Sequence, residues 1–182
     1  MKRLDCQPGE IGLSLGPDMQ IGIVSDTHGN LRNSAKAVEI LKSLGIRTVL
    51  HCGDIGSAYV PSEFADFEAH YVFGNVDTER DLLRAAIADV DGICHDRFGE
   101  LELDGRRIAF LHGDDERRLK QTIEDGEYDL VCSGHTHVAE SNQAGETLAL
   151  NPGALHRANP HSLAIVELGD LSVEIVPLPR TE

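Results

Sequence analysis

Five times along this chain a short apolar run stops, and the residues that follow are drawn from Asp, His and Asn with glycine beside them. Residues 21–25 run into Asp26-Thr27-His28-Gly29-Asn30, residues 48–50 into His51-Cys52-Gly53-Asp54, and residues 71–73 into Gly74-Asn75-Val76-Asp77. Residues 107–111 deliver His112-Gly113-Asp114, and Leu130–Cys132 delivers Gly134-His135-Thr136-His137. The apolar runs have the length and residue types of buried strands. In open α/β sheets the loops after strand carboxyl ends converge on one edge, where ligands bind. Glycine beside each polar residue lets the backbone turn tightly and approach a bound group.

Helical spacing lies between the early strands. Leu31, Ala35, Val38, Leu41 and Leu44 recur at three and four and stop at Gly45; Pro61 opens a short helix over 61–67; Leu82, Leu83, Ala86, Ile87 and Val90 line one side of a helix over 79–90. The pattern then changes. Leu101 and Leu103, an Asp104-Gly105 turn and residues 107–111 predict a hairpin, followed by a polar helix over 115–125. Residues 147–150 lead into Asn151-Pro152-Gly153, and a last hairpin pairs 163–168 with 173–177 around Gly169-Asp170. Alternating βα units first and antiparallel hairpins later predict a single α/β domain with two packed mixed sheets. The domain is expected over 19–182. Residues 1–18, with weak periodicity, two prolines and three glycines, are expected to be an N-terminal extension with a short extended piece at 11–15.

Composition removes several function classes. The longest unbroken apolar run is four residues, for example Leu163 to Val166, far short of a membrane span. Lys2 and Arg3 are not followed by an apolar stretch of signal-peptide length, so a cytoplasmic setting is expected. There the four cysteines, which form no Cys-x-x-Cys pair, stay free thiols, with Cys52 and Cys132 buried as small hydrophobes. Sixteen Lys and Arg against 31 Asp and Glu give a net charge of −15, which repels bulk nucleic acid and anionic membranes. An anionic substrate therefore needs a local positive centre.

Asp26, His28, Asp54, Asn75, His112, His135 and His137 supply that centre if they bind metal. Seven oxygen and nitrogen donors exceed what one catalytic ion takes and suit two divalent ions with one shared ligand. Imidazole mixed with carboxylate favours Mn, Fe, Co, Ni or Zn over an all-oxygen Mg or Ca cage. Asp-x-His or Gly-Asp alone carries little information, and any one of these histidines alone reads as a satisfied core residue. The ordered series, each member after an apolar strand, carries the metal reading.

That series resembles the calcineurin-like metallophosphoesterases, and in particular their small bacterial and archaeal branch of single-domain phosphodiesterases. The similarity covers about residues 19–178 and includes Asn151-Pro152-Gly153. It implies an αββα sandwich with a bimetal centre on the strand ends and a metal-activated hydroxide attacking a phosphodiester. Carried over by motif, Asp26, His28 and His137 hold the first metal, Asn75, His112 and His135 the second, and Asp54 bridges both. Asp54, Asn75 and His112 are the residues expected to matter most for catalysis, and Mn is the leading metal. Larger members read Gly-Asn-His-Asp or Gly-Asn-His-Glu, with that His assisting the leaving group; here Val76 takes its place and cannot donate a proton. Histidine is also frequent in the small branch at the position of Asp114, which implies an acidic inner rim.

Other polar residues read differently. Asp77 is equally an N-cap for a helix over 78–90 or a support for the metal ligands. His51 is expected to support the site rather than ligate. His70, His95, His156 and His161 read as surface or loop residues, and the runs Glu100 to Asp104 and Asp114 to Arg118 as solvated faces. The expected partner is a small phosphoester, with no membrane and no bulk nucleic acid; a homo-oligomer is left open. Two competing functions use the same fold: a non-catalytic interaction scaffold like the retromer subunit, which can dispense with ligand imidazoles, and a nuclease, which would want a basic surface.

Overall fold

The computed structural model describes residues 19–179, so the extension 1–18 and its expected extended piece lie outside the described residues. Strands β1 (Gln20–Val24), β2 (Thr48–His51), β3 (Glu68–Tyr71), β4 (Ile93–Cys94), β10 (Ser162–Glu167) and β11 (Val173–Pro177) form one sheet, in the order β11-β10-β1-β2-β3-β4. Strands β5 (Phe98–Leu103), β6 (Arg106–Leu111), β7 (Leu130–Cys132), β8 (Ala139–Ala144) and β9 (Thr147–Pro152) form the second, in the order β5-β6-β7-β9-β8. The helices are α1 (Leu31–Ser43), α2 (Val60–Glu63), α3 (Arg80–Ala88) and α4 (Glu116–Glu124).

Strand alternation sets the layers. On β1, Ile21 and Ile23 face the second sheet and, together with Leu50 of β2, meet Ile108, Phe110, Leu130 and Leu150. Val24 and Val49 face the other way, against Ala37 and Leu41 of α1, Val60 of α2, and Leu83 and Ile87 of α3. Ala109, Leu111 and Val131 carry α4 through Leu119 and Ile123. The architecture is therefore the expected αββα sandwich, with each fully buried large aliphatic contributing about 1.5–3 kcal/mol. Helix α1 starts on the Asn30 side chain, which accepts from Asn33 N at 3.2 Å. It ends where Gly45 takes a φ of 73°, with Gly45 N bonded to Lys42 O and Ile46 N to Leu41 O, the pair of bonds of a Schellman stop.

Strands β1, β2 and β3 run parallel, as do β6, β7 and β9, so both sheets send carboxyl ends to the same edge of the sandwich. The second sheet is thus mixed, as expected: β6, β7 and β9 are parallel, the outer strands β5 and β8 are antiparallel to their neighbours, and β5–β6 is the predicted hairpin. The last hairpin, β10–β11, returns to the first sheet beside β1. The third strand ends at Tyr71 instead of spanning 71–73: Phe73 N bonds to Asp96 O, a loop carbonyl outside any strand. Helix α2 stops at Glu63, short of the expected 67, with Phe64 N turning back to Pro61 O. His70 is buried on β3, where its Nδ1 lies 3.0 Å from His95 Nε2, so it is not the surface residue the sequence suggests. Cys52 and Cys132 are buried free thiols, as expected.

Candidate metal centre

Six polar side chains converge on the carboxyl edge at hydrogen-bonding or near-bonding distance. Asp26 and Asp54 sit just past β1 and β2, buried, and His112 follows β6, also buried. His28 and His137 reach in from the loops after β1 and β7. Asp26 Oδ1 stands 3.1 Å from His137 Nε2 and 3.8 Å from His28 Nε2, and the two imidazole nitrogens are 3.3 Å apart. Asp54 Oδ2 lies 3.6 Å from His28 Nε2 and 3.3 Å from His112 Nε2. Asn75 Oδ1 is 3.1 Å from His112 Nε2. The His135 ring meets that of His112 edge-on, centroids 5.1 Å apart.

The protonation pattern of this cluster calls for cations. His112 Nδ1 lies 2.9 Å from the carbonyl oxygen of Cys52, which only accepts, so the Nδ1 proton is committed there. In the neutral ring, Nε2 then presents a lone pair to two acceptor oxygens, of Asp54 and Asn75. His137 repeats the arrangement: Nδ1 points at Arg157 O at 3.3 Å, and Nε2 faces Asp26 Oδ1. Buried Asp26 Oδ1 has no hydrogen-bond donor among the described residues. Converging lone pairs in a buried site are repulsive unless a proton or a metal ion sits among them. The donor set, two carboxylates with imidazoles and an amide, fits divalent transition metals. Asp26, His28 and His137 form one compact group, and Asp26, Asp54 and His112 another.

Titration behaviour agrees with this geometry. Burial disfavours a charged His112, yet the hydrogen bond and charge of Asp54 outweigh it and raise its pKa. Burial alone would raise the Asp54 pKa, but His112 and the Val76 N–H bring it below the usual carboxylate value. His28 is lowered, chiefly by burial, against the pull of Asp54 and Asp26, which favours the neutral, ligating ring.

The backbone is bent to present these groups. Asp26, His28, Asp54, His135 and His137 all have positive φ, between 44° and 69°. Such conformations are uncommon outside glycine and persist only where surrounding contacts hold them. Gly74 and Gly134 make the approach possible: a Cβ on Gly74 would fall on the Asp54 carboxylate, and one on Gly134 on Ser25 Oγ and Asp26 Oδ2.

The supporting residues differ in part from expectation. Asp77 does not cap a helix; α3 begins at Arg80, and its N-cap is Glu79. The buried Asp77 carboxylate instead accepts from Ile55 N at 3.1 Å, Gly56 N at 2.8 Å and Gly74 N at 2.8 Å, tying the loop after β2 to the loop after β3. His51 makes no contact with the donors: its Nδ1 accepts from Gly53 N, so Nε2–H donates to Thr27 Oγ1 at 3.0 Å, and Thr27 in turn bonds Ile55 O. Burial pushes the His51 pKa down to about 4, leaving the ring neutral. Asp114 does not make a free acidic rim. Its carboxylate takes two bonds from Arg97 Nη2, at 2.8 and 2.6 Å, while Arg97 Nη1 bonds Gly74 O. Sequence reasoning missed Ser25, whose Oγ donates to Asp26 Oδ2 at 2.6 Å, and Arg97, which no local pattern marks. His156 lies nearer the site than a plain loop residue, its ring centroid 5.7 Å from that of His28 and its Nδ1 3.2 Å from Asn30 Nδ2.

Comparison with known proteins agrees with this architecture. The model of the calcineurin-like phosphoesterase superfamily domain matches residues 19–171. A phosphodiesterase of Methanocaldococcus jannaschii is 38% identical over 139 residues, covering 74% of this chain and 83% of the relative. A solved structure described as a novel archaeal phosphodiesterase superposes with a TM-score of 0.82 at 32% identity, over 88% of this chain and 100% of that one. A Vps29 structure from Entamoeba histolytica shares the fold at a TM-score of 0.62 and 21% identity, over 88% of this chain and 100% of that one. With the family model spanning most of its length and a relative more than a third identical, the chain belongs to the calcineurin-like phosphoesterase superfamily.

Proposed function

We propose that this metal-dependent phosphoesterase hydrolyses phosphodiesters at a two-cation centre. In this reading Asp26, His28 and His137 hold one ion, Asn75, His112 and His135 hold the other, and Asp54 is shared. The observation that carries it is the facing of His112 Nε2, its other nitrogen committed to Cys52, toward the acceptor oxygens of Asp54 and Asn75. Sharing by Asp54 rather than Asp26 rests on which imidazoles each carboxylate's remaining oxygen meets. Asp26 Oδ1 reaches His28 and His137, both in the first ion's set, whereas Asp54 Oδ2 reaches His28 of that set and His112 of the other.

When bound, the ions lower the pKa of a coordinated water and neutralise charge on the phosphoryl oxygens. The chain's own residues do the rest. Cys52 and Arg157 carbonyls fix the ring orientation of His112 and His137, and Asp77 and Arg97 lock the loop that carries Asn75. Val76 is 41% exposed at the rim and offers only its backbone N–H, to Asp54 Oδ1, so it holds no proton for the departing oxygen. That favours diesters with good leaving groups. Manganese is the proposed native metal, with Fe, Co, Ni or Zn as the alternatives to be compared. Residues 19–182 are taken as the catalytic domain, and residues 1–18 as an extension that supplies none of the seven donors. Buried free thiols at Cys52 and Cys132 suit a reducing cytoplasm, where we place the protein.

An interaction scaffold without catalysis would not need this complete set of donors, and a net charge of −15 disfavours a nuclease. The test is a panel: chelator-stripped protein reconstituted with each of the five metals and assayed on aryl diesters, alkyl diesters and aryl monoesters. The expected result is turnover highest with Mn and faster on diesters than on monoesters. No turnover with any metal would favour the scaffold; faster monoester hydrolysis would overturn the diester preference.

A further inference from the structure

A cavity of about 290 Å³ opens directly beside His135, between α4 and the outer strands β8 and β9. Its floor is apolar: Leu119 and Ile123 from the helix, Ala149 and Leu150 from β9. Its charged rim consists of two carboxylates, Glu116 on α4 and Glu140 on β8, and no lysine or arginine is among the described residues lining it. β8 is exposed along its whole length, so α4 covers the inner strands of this face and no described residue covers β8. Because His135 lines both the cavity and the metal centre, a phosphodiester held at the centre has one ester arm within reach of the groove.

From this juxtaposition we infer that the groove beside His135 is a subsite for one ester arm, and that it selects arms with a small apolar body and a positive charge over anionic arms. The inference rests on the phosphodiesterase reading and adds its substrate class. The volume lies at the lower edge of drug-sized pockets, about 300–1,000 Å³, and so suits one ring or a short chain. The apolar floor rewards burial of such a body. The two carboxylates attract an ammonium and repel a further phosphate or carboxylate, which excludes nucleotide-like arms.

Binding can be read without metal. In chelator-stripped protein, benzyltrimethylammonium should shift the methyl NMR signals of Leu119, Ile123 and Ala149, and benzenesulfonate should bind at least about three-fold more weakly, the size expected of exposed charge pairs. Glu116→Gln with Glu140→Gln should remove most of that difference, and Ala149→Leu should weaken both probes. The reconstituted enzyme is then assayed on 4-nitrophenyl phosphodiesters whose second arm is methyl, trimethylammonioethyl or carboxymethyl. Wild type should rank ammonium above methyl above carboxylate in kcat/KM. The double Gln variant should lower the ammonium-to-methyl ratio by about three-fold, and Ala149→Leu should lower it by about ten-fold through crowding. Probe binding that leaves these three methyls unmoved, or a ranking the double variant does not alter, overturns the subsite. Failure on every diester, with the methyls still responding to the ammonium probe, would instead strike at the phosphodiesterase reading and leave the groove standing as a cation site.

Discussion

The Nε2 atoms of His28 and His137 face each other at 3.3 Å, although 109 residues separate them in the chain. Two neutral imidazoles at that distance share one proton or one cation. His137 has its other nitrogen turned to Arg157 O, and burial keeps His28 toward its neutral form. The same lone-pair logic holds on the other side of Asp54, at His112.

The shared carboxylate gives the sharpest substitution. Asp54→Asn keeps an oxygen for Val76 N–H but removes the charge between His28 and His112. Supporting residues around metal ligands already change affinity or activity by about 10–100-fold, so loss of a shared ligand should lower turnover by more than about 100-fold. The melting temperature of the metal-free variant should stay close to wild type. Near-wild-type turnover at saturating metal would remove Asp54 from the role of bridge.

Asp77 predicts a different signature. Three backbone N–H groups depend on one buried carboxylate, so Asp77→Ala should destabilise the fold by about 3 kcal/mol, measured by urea unfolding. Metal affinity should weaken with it, because Gly74 precedes Asn75. A change confined to the helicity of α3 would mean that the capping role was correct after all.

Val76 sets the dependence on leaving group. With no acid at that position, kcat/KM should fall steeply as the leaving-group pKa rises from nitrophenol to alkyl alcohols. Val76→His should flatten the slope by speeding the poorer leaving groups. A flat wild-type series would point to a different proton donor or to a limiting step outside the chemistry.

His51 should make the metal-free fold acid-sensitive. Its pKa is near 4 when folded against an ordinary value of 6.5 in the unfolded chain, so between those values the unfolded chain takes up a proton that the folded chain refuses. Stability is therefore full above pH 6.5 and is lost as pH falls toward 4, by about 3 kcal/mol for this ring. His51→Gln should shallow the loss between about pH 7 and pH 5, leaving the part due to His28, His70, His95 and His156, which burial also lowers. An unchanged pH slope would show that the ring is not buried in the neutral state.

The strand-end donors were readable because each follows an apolar run, and parallel strands must deliver their ends to one edge. The three early βα units and the Asp104-Gly105 hairpin followed from local periodicity for the same reason. β8 was not readable: Ala139–Ala144 has no buried position, so no alternation marks it, and it is a strand only because β9 offers a pairing edge. Nor could the sequence say that β10–β11 joins the first sheet, since a hairpin's pattern is the same in either. The Arg97–Asp114 pair and the clamp by Asp77 depend on loops brought together by the sandwich. The positive φ angles of five donors left no trace either, because Asp and His there look like any polar loop residue.

The most direct test of a two-cation centre is a Mn(II) titration of chelator-stripped protein, followed in the same samples by electron paramagnetic resonance and by aryl phosphodiester turnover. The expected result is two ions bound per chain, magnetically coupled through a shared ligand, with turnover rising as the second ion binds. Full turnover with one ion per chain, or two ions without coupling and without turnover, would contradict it.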